Sequence, residues 1–212
     1  MSVDVRFEAR DVAKRFGRRL VLRSVSFSVE AGGVVVVAGR NGSGKSTLLK
    51  ILVGLLTPSR GDVVLAVDGR KILPERQRNS IGFVSPYLQL YDEFTGVENL
   101  ALAASLRGMP FDTKRADELL KMVGLDSRGS DPAAAYSSGM KQRLKYAFAL
   151  MHRPPVLVLD EPTANLDSEG MERVRQIIAA QREAGVVILA ANEPEEREWG
   201  DSIIDLDHQD AI

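Results

Sequence analysis

The stretch G-R-N-G-S-G-K-S-T, at residues 39–47, constrains this chain more than any other part of its sequence. It matches the pattern G-x-x-x-x-G-K-[S/T] at every fixed position. A run of valines at 34–37 precedes it, and an apolar pattern of helical spacing at 48–56 follows it. In such a strand–loop–helix context, glycines let successive backbone N–H groups and the helix N-terminus point at phosphate oxygens. The sequence therefore predicts a nucleotide site.

Two side chains of this loop are predicted to take part in the chemistry. Lys45 is expected to reach the terminal phosphates, which makes it a catalytic candidate, and the Ser46 hydroxyl is the candidate ligand for Mg²⁺. A nucleotide and Mg²⁺ are accordingly the predicted cofactors. The loop residues predicted to bind the nucleotide are Gly39, Arg40, Asn41, Gly42, Ser43, Gly44, Lys45, Ser46 and Thr47.

Length, charge and composition exclude several other kinds of protein. A chain of 212 residues suits one domain, or one core with an inserted lobe. The net charge of −1 lacks the excess of positive charge that is typical of nucleic-acid-binding proteins, so no nucleic-acid partner is predicted. Cysteine is absent, which excludes disulfides and thiolate metal sites. No apolar run approaches the roughly 18 residues that span a bilayer, so a role at a membrane would need another chain to supply the span.

The hydrophobic pattern changes character twice along the chain. Residues 3–8, 12–16 and 20–29 read as strands of period near two, whereas 34–38, 156–159 and 186–191 are the short apolar runs of buried strands. Between them, residues 97–151 carry patterns of helical spacing. Strands that alternate with helices predict a parallel α/β core, into which a helical lobe is inserted.

Two acids follow the apolar run V-L-V-L at 156–159. An acid at the carboxyl end of a buried strand beside a phosphate loop is where Mg²⁺ is held, so Asp160 is a predicted metal ligand. The adjacent Glu161 is then placed to polarise an attacking water, and it is the predicted general base. Together with the phosphate loop, this pair predicts nucleotide hydrolysis.

The sequences around the acid pair resemble one family in particular. Residues 136–143, Y-S-S-G-M-K-Q-R, are similar to the L-S-G-G-Q signature of ATP-binding-cassette (ABC) transporter ATP-binding subunits, and 162–167, P-T-A-N-L-D, to their D-loop. The order of motifs over essentially the whole chain resembles a small exporter-type cassette. The resemblance implies an α/β fold: a P-loop NTPase (RecA-like) core with an N-terminal antiparallel β subdomain and an inserted ABC helical subdomain. One domain is expected over 1–212, with the helical lobe at about 85–151 and the β subdomain and core at about 1–84 and 152–212.

The resemblance also implies further nucleotide contacts. Family members form head-to-tail dimers, or paired cassettes, that hold two ATP molecules between the phosphate loop of one subunit and the signature of the other. A lone monomer is then expected to hydrolyse ATP poorly. Phe16 falls where the family places an aromatic side chain that stacks on adenine. The implied contacts across the dimer are Ser137, Ser138 and Gly139 of the signature and Asp167 of the D-loop.

Two positions depart from the family pattern. Pro86 follows the strand at 81–84 where the family has the glutamine of its Gln loop, and proline has no side-chain amide to offer. Gln89 is the alternative metal contact if that loop is remodelled. Asn192 stands where the family has a switch histidine; it can donate an amide hydrogen bond but cannot carry a proton. We therefore expect ATP hydrolysis to be slow, with Glu161 and Asn192 among its catalytic residues.

The combined pattern predicts a subunit that binds and hydrolyses Mg·ATP to power a membrane transporter. Separate transmembrane permease subunits are the implied partners, docked on residues 85–107, and the implied location is the cytoplasmic inner face of the cell membrane. Three alternatives stay open at the level of sequence. They are a soluble ABC ATPase linked to DNA or ribosomes, a P-loop kinase or switch GTPase, and a cassette that binds ATP without hydrolysing it.

Overall fold

The computed structural model describes residues 4–208. Within this range the strands are β1 (Val5–Phe16), β2 (Arg19–Glu30), β3 (Val34–Ala38), β4 (Arg60–Val67), β5 (Arg70–Ile72), β6 (Ile81–Val84), β7 (Val156–Asp160), β8 (Val186–Ala190) and β9 (Ser202–Asp205). The α-helices are α1 (Lys45–Leu52), α2 (Pro74–Gln77), α3 (Gly96–Ser105), α4 (Thr113–Met122), α5 (Ser138–Leu150) and α6 (Ser168–Ala184).

Four of the first five strands form an antiparallel sheet in the order β2-β1-β4-β5, and β3 belongs to a second sheet. The prediction of two separate strands at 3–8 and 12–16 was wrong: from Val5 onward they are one continuous strand, and Val3 lies outside the described residues. The pairing of β1 with β2 shifts register after Ala9, where Asp11 adopts a left-handed φ of 48°. A bulge of this kind inserts an unpaired residue without ending the strand, and this is why the local pattern breaks while the strand continues.

The remaining strands form a parallel sheet in the order β6-β7-β8-β3-β9. Every residue of β3, β7 and β8 is buried, as expected for central strands covered on both faces. Because β8 pairs with β7 on one side and β3 on the other, the carboxyl ends of these three strands meet at one edge. The phosphate loop, the acid pair and the segment at 191–193 leave the sheet there.

The parallel sheet has an apolar core on each face. On one face, Val35 and Val37 pack with α1 and with the antiparallel sheet. On the other face, Leu157 and Leu159 pack with residues of α3, α4, α5 and α6. Helices α3 to α5 all lie within the lobe predicted at 85–151, and they share this second core with the sheet. The division of the chain into core and lobe at those boundaries stays a prediction.

His152, between α5 and β7, is expected to make the fold sensitive to acid. Burial, together with the positive charge of Arg107, lowers the pKa of His152 from 6.5 to about 4, while the Ile81 backbone acts in the opposite sense. Because the folded-state pKa is the lower one, the unfolded chain binds more protons between these values, and stability falls as the pH drops through that window. The loss is at most about 3.5 kcal/mol, since one pKa unit corresponds to about 1.4 kcal/mol.

Urea titrations from pH 7.5 to 4.5 measure this effect. The His152→Gln variant is expected to lose part of the pH dependence of the unfolding free energy. Parallel curves for wild type and His152→Gln would contradict the prediction.

Candidate functional site

The loop at 39–44 curls between the end of β3 and the start of α1. Gly39 has a φ of 145°, and a Cβ there would lie 2.6 Å from the Ser43 Oγ atom. Gly44, which precedes the first residue of α1, has a φ of 108°, and a Cβ would lie 2.9 Å from the Leu22 Cδ2 atom. Both positions combine a left-handed backbone with close neighbours, so they need glycine. This explains why the motif requires glycine at both ends of the loop at 39–44.

Lys45 places its ammonium inside the curve of the loop. The residue is 7% exposed, and Nζ donates to the backbone oxygens of Gly39 at 2.6 Å and of Arg40 at 3.3 Å. The loop is anchored from outside by Asp207, whose Oδ2 accepts from the Arg40 backbone N–H at 2.8 Å. Asp207 was missed by the sequence analysis. It follows β9, the neighbour of β3, and this long-range pairing cannot be read from local sequence.

Ser46 and Asp160 meet beside the loop. The Ser46 hydroxyl donates to Asp160 Oδ1 at 3.1 Å, across 114 positions of sequence. Asp160 is 2% exposed, and its Oδ2 is buried without a hydrogen-bond partner. Burial raises the pKa of Asp160, with the nearby Glu161 carboxylate adding to the rise, and the Ser46 hydrogen bond opposes it. A buried carboxylate with a free oxygen beside a hydroxyl fits a hard divalent cation such as Mg²⁺.

Such a cation would need further ligands from outside the protein. Within residues 4–208, no three His, Asp or Glu side chains cluster closely enough to hold a metal by themselves. Mg²⁺ keeps several waters and is commonly bound through one or two protein groups together with phosphate oxygens. Ser46 and Asp160 therefore fit a cation that arrives with a nucleotide.

Glu161 turns its side chain away from the sheet and into a cleft. It is the first residue after β7, and its φ of 54° is a left-handed conformation that residues other than glycine rarely adopt. The cleft has a volume of about 550 Å³. It brings together most of the predicted phosphate loop, without Gly39, Arg40 and Ser43, and the predicted general base, switch position and adenine platform. The lining residues are Phe16, Arg19, Val21, Asn41, Gly42, Gly44, Lys45, Ser46, Thr47, Glu161 and Asn192.

The signature residues do not line this cleft. Ser137 is the N-cap of α5, and its Oγ accepts from the Met140 backbone N–H at 3.2 Å. Ser137 and Ser138 are exposed, so the N-terminus of α5 is open to a ligand from outside the chain. A Cβ at Gly139 would lie 2.9 Å from the Asn165 backbone oxygen, which puts the signature in contact with the D-loop.

Asp167 and Gln89 also lie outside the lining of the cleft. Asp167 is the N-cap of α6, where its Oδ1 accepts from the Gly170 backbone N–H at 2.8 Å. Gln89 is exposed on the segment between β6 and α3. The nucleotide contact of Asp167 and the metal contact of Gln89 therefore stay predictions.

Asn192 is held in the cleft by an acid that the sequence analysis missed. Its backbone N–H donates to Glu196 Oε2 at 2.7 Å, and Glu196 is 1% exposed. The other oxygen, Oε1, accepts from the Thr163 hydroxyl at 2.7 Å. Glu196 thus ties the switch position to the segment that follows Glu161. A glutamate in a charged run gives no sequence signal of burial, and this is why it was missed.

With this geometry, comparison with known proteins decides the family. The family model described as "ABC transporter" matches residues 22–164. The chain belongs to the ABC transporter family. It is similar to the uncharacterized ABC transporter ATP-binding protein YdbJ of Bacillus subtilis (strain 168), at 37% identity over 84% of this chain and 58% of that protein. It is 38% identical to the lipoprotein-releasing system ATP-binding protein LolD 1 of Caulobacter vibrioides, over 86% of this chain and 83% of that protein.

Solved structures agree with the fold. The dimeric, post-hydrolysis structure of the ATP-binding cassette MJ0796 bound to ADP and Pi matches with a TM-score of 0.80 at 28% identity, covering 94% of this chain and 93% of that chain. The chain spans just under six-tenths of the length of YdbJ and of the linearmycin resistance protein LnrL, at 58% and 59%.

These matches confirm the family, the fold class and the enzyme class. The chain is an ABC cassette with a P-loop NTPase core, it binds ATP, and it is an ATPase. The kinase and GTPase alternative is not favoured. Among residues 4–208, no helix is both long enough and apolar enough to cross a bilayer.

Proposed function

We propose that this chain is the nucleotide-binding subunit of a membrane transporter, and that it works as a head-to-tail dimer with two ATP molecules in the interface. The observation that carries the proposal is the arrangement of its two phosphate-binding features. The cleft holds the loop, Glu161 and Asn192, whereas the open N-terminus of α5 is not part of it. Each chain therefore offers half of a site in the cleft and a second half elsewhere on its surface.

Within one cleft, different residues have different roles in binding and hydrolysing ATP. The loop N–H groups and Lys45 bind the terminal phosphates, and Phe16, 48% exposed at the rim, offers a face for the adenine. Bound through Ser46 and Asp160, Mg²⁺ would neutralise charge on the phosphate oxygens. Glu161 accepts the proton of the attacking water. The Asn192 amide donates a hydrogen bond to the terminal phosphate but cannot supply a charge.

The second half of the site is the N-terminus of α5. The positive end of the helix dipole and exposed N–H groups there favour a phosphate group. In the proposed dimer, the partner subunit's nucleotide meets Ser137, Ser138 and Gly139. We infer that the D-loop, packed against Gly139 and linked to Asn192 through Glu196, senses this contact.

The dimer predicts that two defective chains restore each other's activity. Lys45→Met damages the loop half, and Ser138→Asp places a negative charge where the partner's phosphate would bind, at an exposed first turn that tolerates an acid. An equal mixture has one intact composite site in each heterodimer, so ATPase activity is expected to recover to about a quarter of wild type. Wild-type specific activity should also rise with protein concentration.

Thr113→Asp, at the exposed first position of α4, is the matched control and is expected to be fully active by itself. A mixture no more active than the sum of its parts, together with specific activity independent of concentration, would contradict the dimer.

Asn192→His is expected to raise the rate of hydrolysis. The backbone of residue 192 is fixed by Glu196, so a histidine side chain would enter the same part of the cleft. Since it can carry a proton or a positive charge, we expect kcat to increase by about tenfold or more, within the range of positioned acid–base groups. Steady-state ATPase assays measure this, with Asn192→Ala expected to be slower than wild type. An unchanged kcat would show that the switch position does not limit turnover.

The membrane partner is tested by purification from membranes in mild detergent. We propose that the chain sits on the cytoplasmic face and co-purifies with a multi-span protein, as the relatives' names as transporter ATP-binding proteins suggest. Recovery of the chain in soluble form, with ribosomes or DNA and without such a protein, would favour the soluble ATPase alternative instead.

A further inference from the structure

Two lysines from different helices hold the segment that replaces the family's Gln loop. This segment begins at Ser85, directly after β6, and its second residue is Pro86, which lacks a side-chain amide. Lys50 reaches it from the last turn of α1, and Lys145 reaches it from the middle of α5. The two helices are those that carry the phosphate loop and the signature.

Lys50 contacts Tyr87 from the helix that carries Ser46. It is four positions after Ser46 on α1, and side chains at this spacing share one face of a helix. Its Nζ is 4.1 Å from the centroid of the Tyr87 ring, within the range of a cation–π contact. Its charge also acts on the Asp160 carboxylate, against the effect of burial, which raises the pKa of that group. The contact with Tyr87 joins α1 to the segment.

Lys145 contacts the same segment through its backbone. Its Nζ donates to the Ser85 oxygen at 3.3 Å and to the Pro86 oxygen at 3.4 Å. The side chain is partly buried, and burial lowers the pKa of Lys145. A partly buried ammonium that donates hydrogen bonds to two successive carbonyl oxygens restrains the peptide between them.

We propose that Lys50 and Lys145 are positioning residues that clamp residues 85–87 between α1 and α5, in place of the side-chain amide that Pro86 cannot provide. Through this clamp, the orientation of the signature helix depends on α1, the helix that also carries Ser46. The contacts of Lys50 and Lys145 are observed in the structure, whereas the expected effect of the clamp on kcat rests on the proposed function. Tyr87 is 70% exposed, so its contact with Lys50 forms at the surface predicted to dock the permease.

The first test uses the full-length protein without nucleotide. Amide hydrogen exchange of the peptide covering residues 85–92 is measured by mass spectrometry. Lys50→Met, Lys145→Met and Tyr87→Leu are each expected to speed exchange there by about two- to fivefold, the strength of an exposed cation–π contact or hydrogen bond. Tyr87→Phe keeps the ring and should match wild type. Lys114→Met, an exposed lysine of α4, is the matched control and should also leave exchange unchanged.

The second test separates positioning from simple structural support. Lys50→Met and Lys145→Met are expected to lower kcat by about threefold or more while the Kd for ATP changes by less than about twofold, because the loop that binds ATP is intact. Lys50→Arg, which can also stack on Tyr87, should restore kcat. The double variant with Lys50→Met and Tyr87→Leu should be no slower than the slower single variant.

The outcomes separate this inference from the proposed dimer. Unchanged exchange in Lys50→Met and Lys145→Met would overturn the clamp, and additive effects of Lys50→Met and Tyr87→Leu would overturn their contact. Faster exchange with an unaltered kcat would overturn the positioning role. None of these results depends on recovery of activity in mixed dimers, which tests the proposed function by itself.

Discussion

Replacing Glu161 with glutamine is expected to lower kcat for ATP hydrolysis by about 10²- to 10⁴-fold, the contribution of a positioned general base. Glutamine has the same shape and can still orient a water, but it cannot accept its proton. Glu161 adopts a left-handed φ of 54° immediately after a fully buried strand, and it lines the cleft with the phosphate loop. If Asn192 already makes the wild-type enzyme slow, the loss of kcat in Glu161→Gln is expected to be near 10²-fold, the lower end of this range.

Steady-state ATPase rates of wild type and Glu161→Gln are compared at saturating ATP, together with the Kd for ATP. The Kd is expected to stay within about twofold because Glu161 is not part of the loop that binds phosphate. Glu183→Gln, an exposed glutamate at the end of α6, serves as control and should hydrolyse ATP at the wild-type rate. Equal rates for wild type and Glu161→Gln would remove Glu161 from the chemistry.

Replacing Lys45 with methionine is expected to weaken ATP binding by about 10- to 100-fold, since a hydrogen bond to a charged group contributes about 1.5–3 kcal/mol. Lys45 is 7% exposed, and its ammonium is held by two backbone oxygens of the loop. Methionine has a similar length and fills the same space, so the change removes the charge while the packing is kept. The terminal phosphates lose their buried cation.

Comparing ATP with AMP separates this loss from damage to the fold. AMP lacks the terminal phosphates, so its Kd is expected to be nearly the same in wild type and Lys45→Met. The thermal midpoint of the nucleotide-free variant should also be close to that of wild type. An equal loss of affinity for ATP and AMP would show that Lys45 supports the shape of the loop rather than the phosphates.

Local motifs predicted much of the candidate site. Gly39 and Gly44 could be recognised because the loop needs their left-handed backbone, and Asp160 because it ends a wholly apolar strand. Phe16, Glu161 and Asn192 were proposed from their order in the chain, and the structure brings all three to one cleft. Their individual roles stay predictions that the variants above can test.

The residues that were missed act over long distances in sequence. Asp207 contacts Arg40 across 167 positions, and Glu196 joins Asn192 to Thr163. Lys50 follows the phosphate loop closely, yet its contact with Tyr87 depends on how α1 packs against the parallel sheet. Charged residues of this kind look like ordinary surface residues until the fold shows which of them are buried or paired.

The sequence by itself determined the phosphate loop, the acid pair, the order of the family's motifs and the two departures at Pro86 and Asn192. Each of these depends on residue type at a fixed local spacing. The tertiary structure decided that β1 is one strand with a bulge, that the signature lies outside its own chain's cleft, and that two lysines hold the segment at Pro86. These features depend on strand pairing and helix packing, which bring together residues that no local pattern connects.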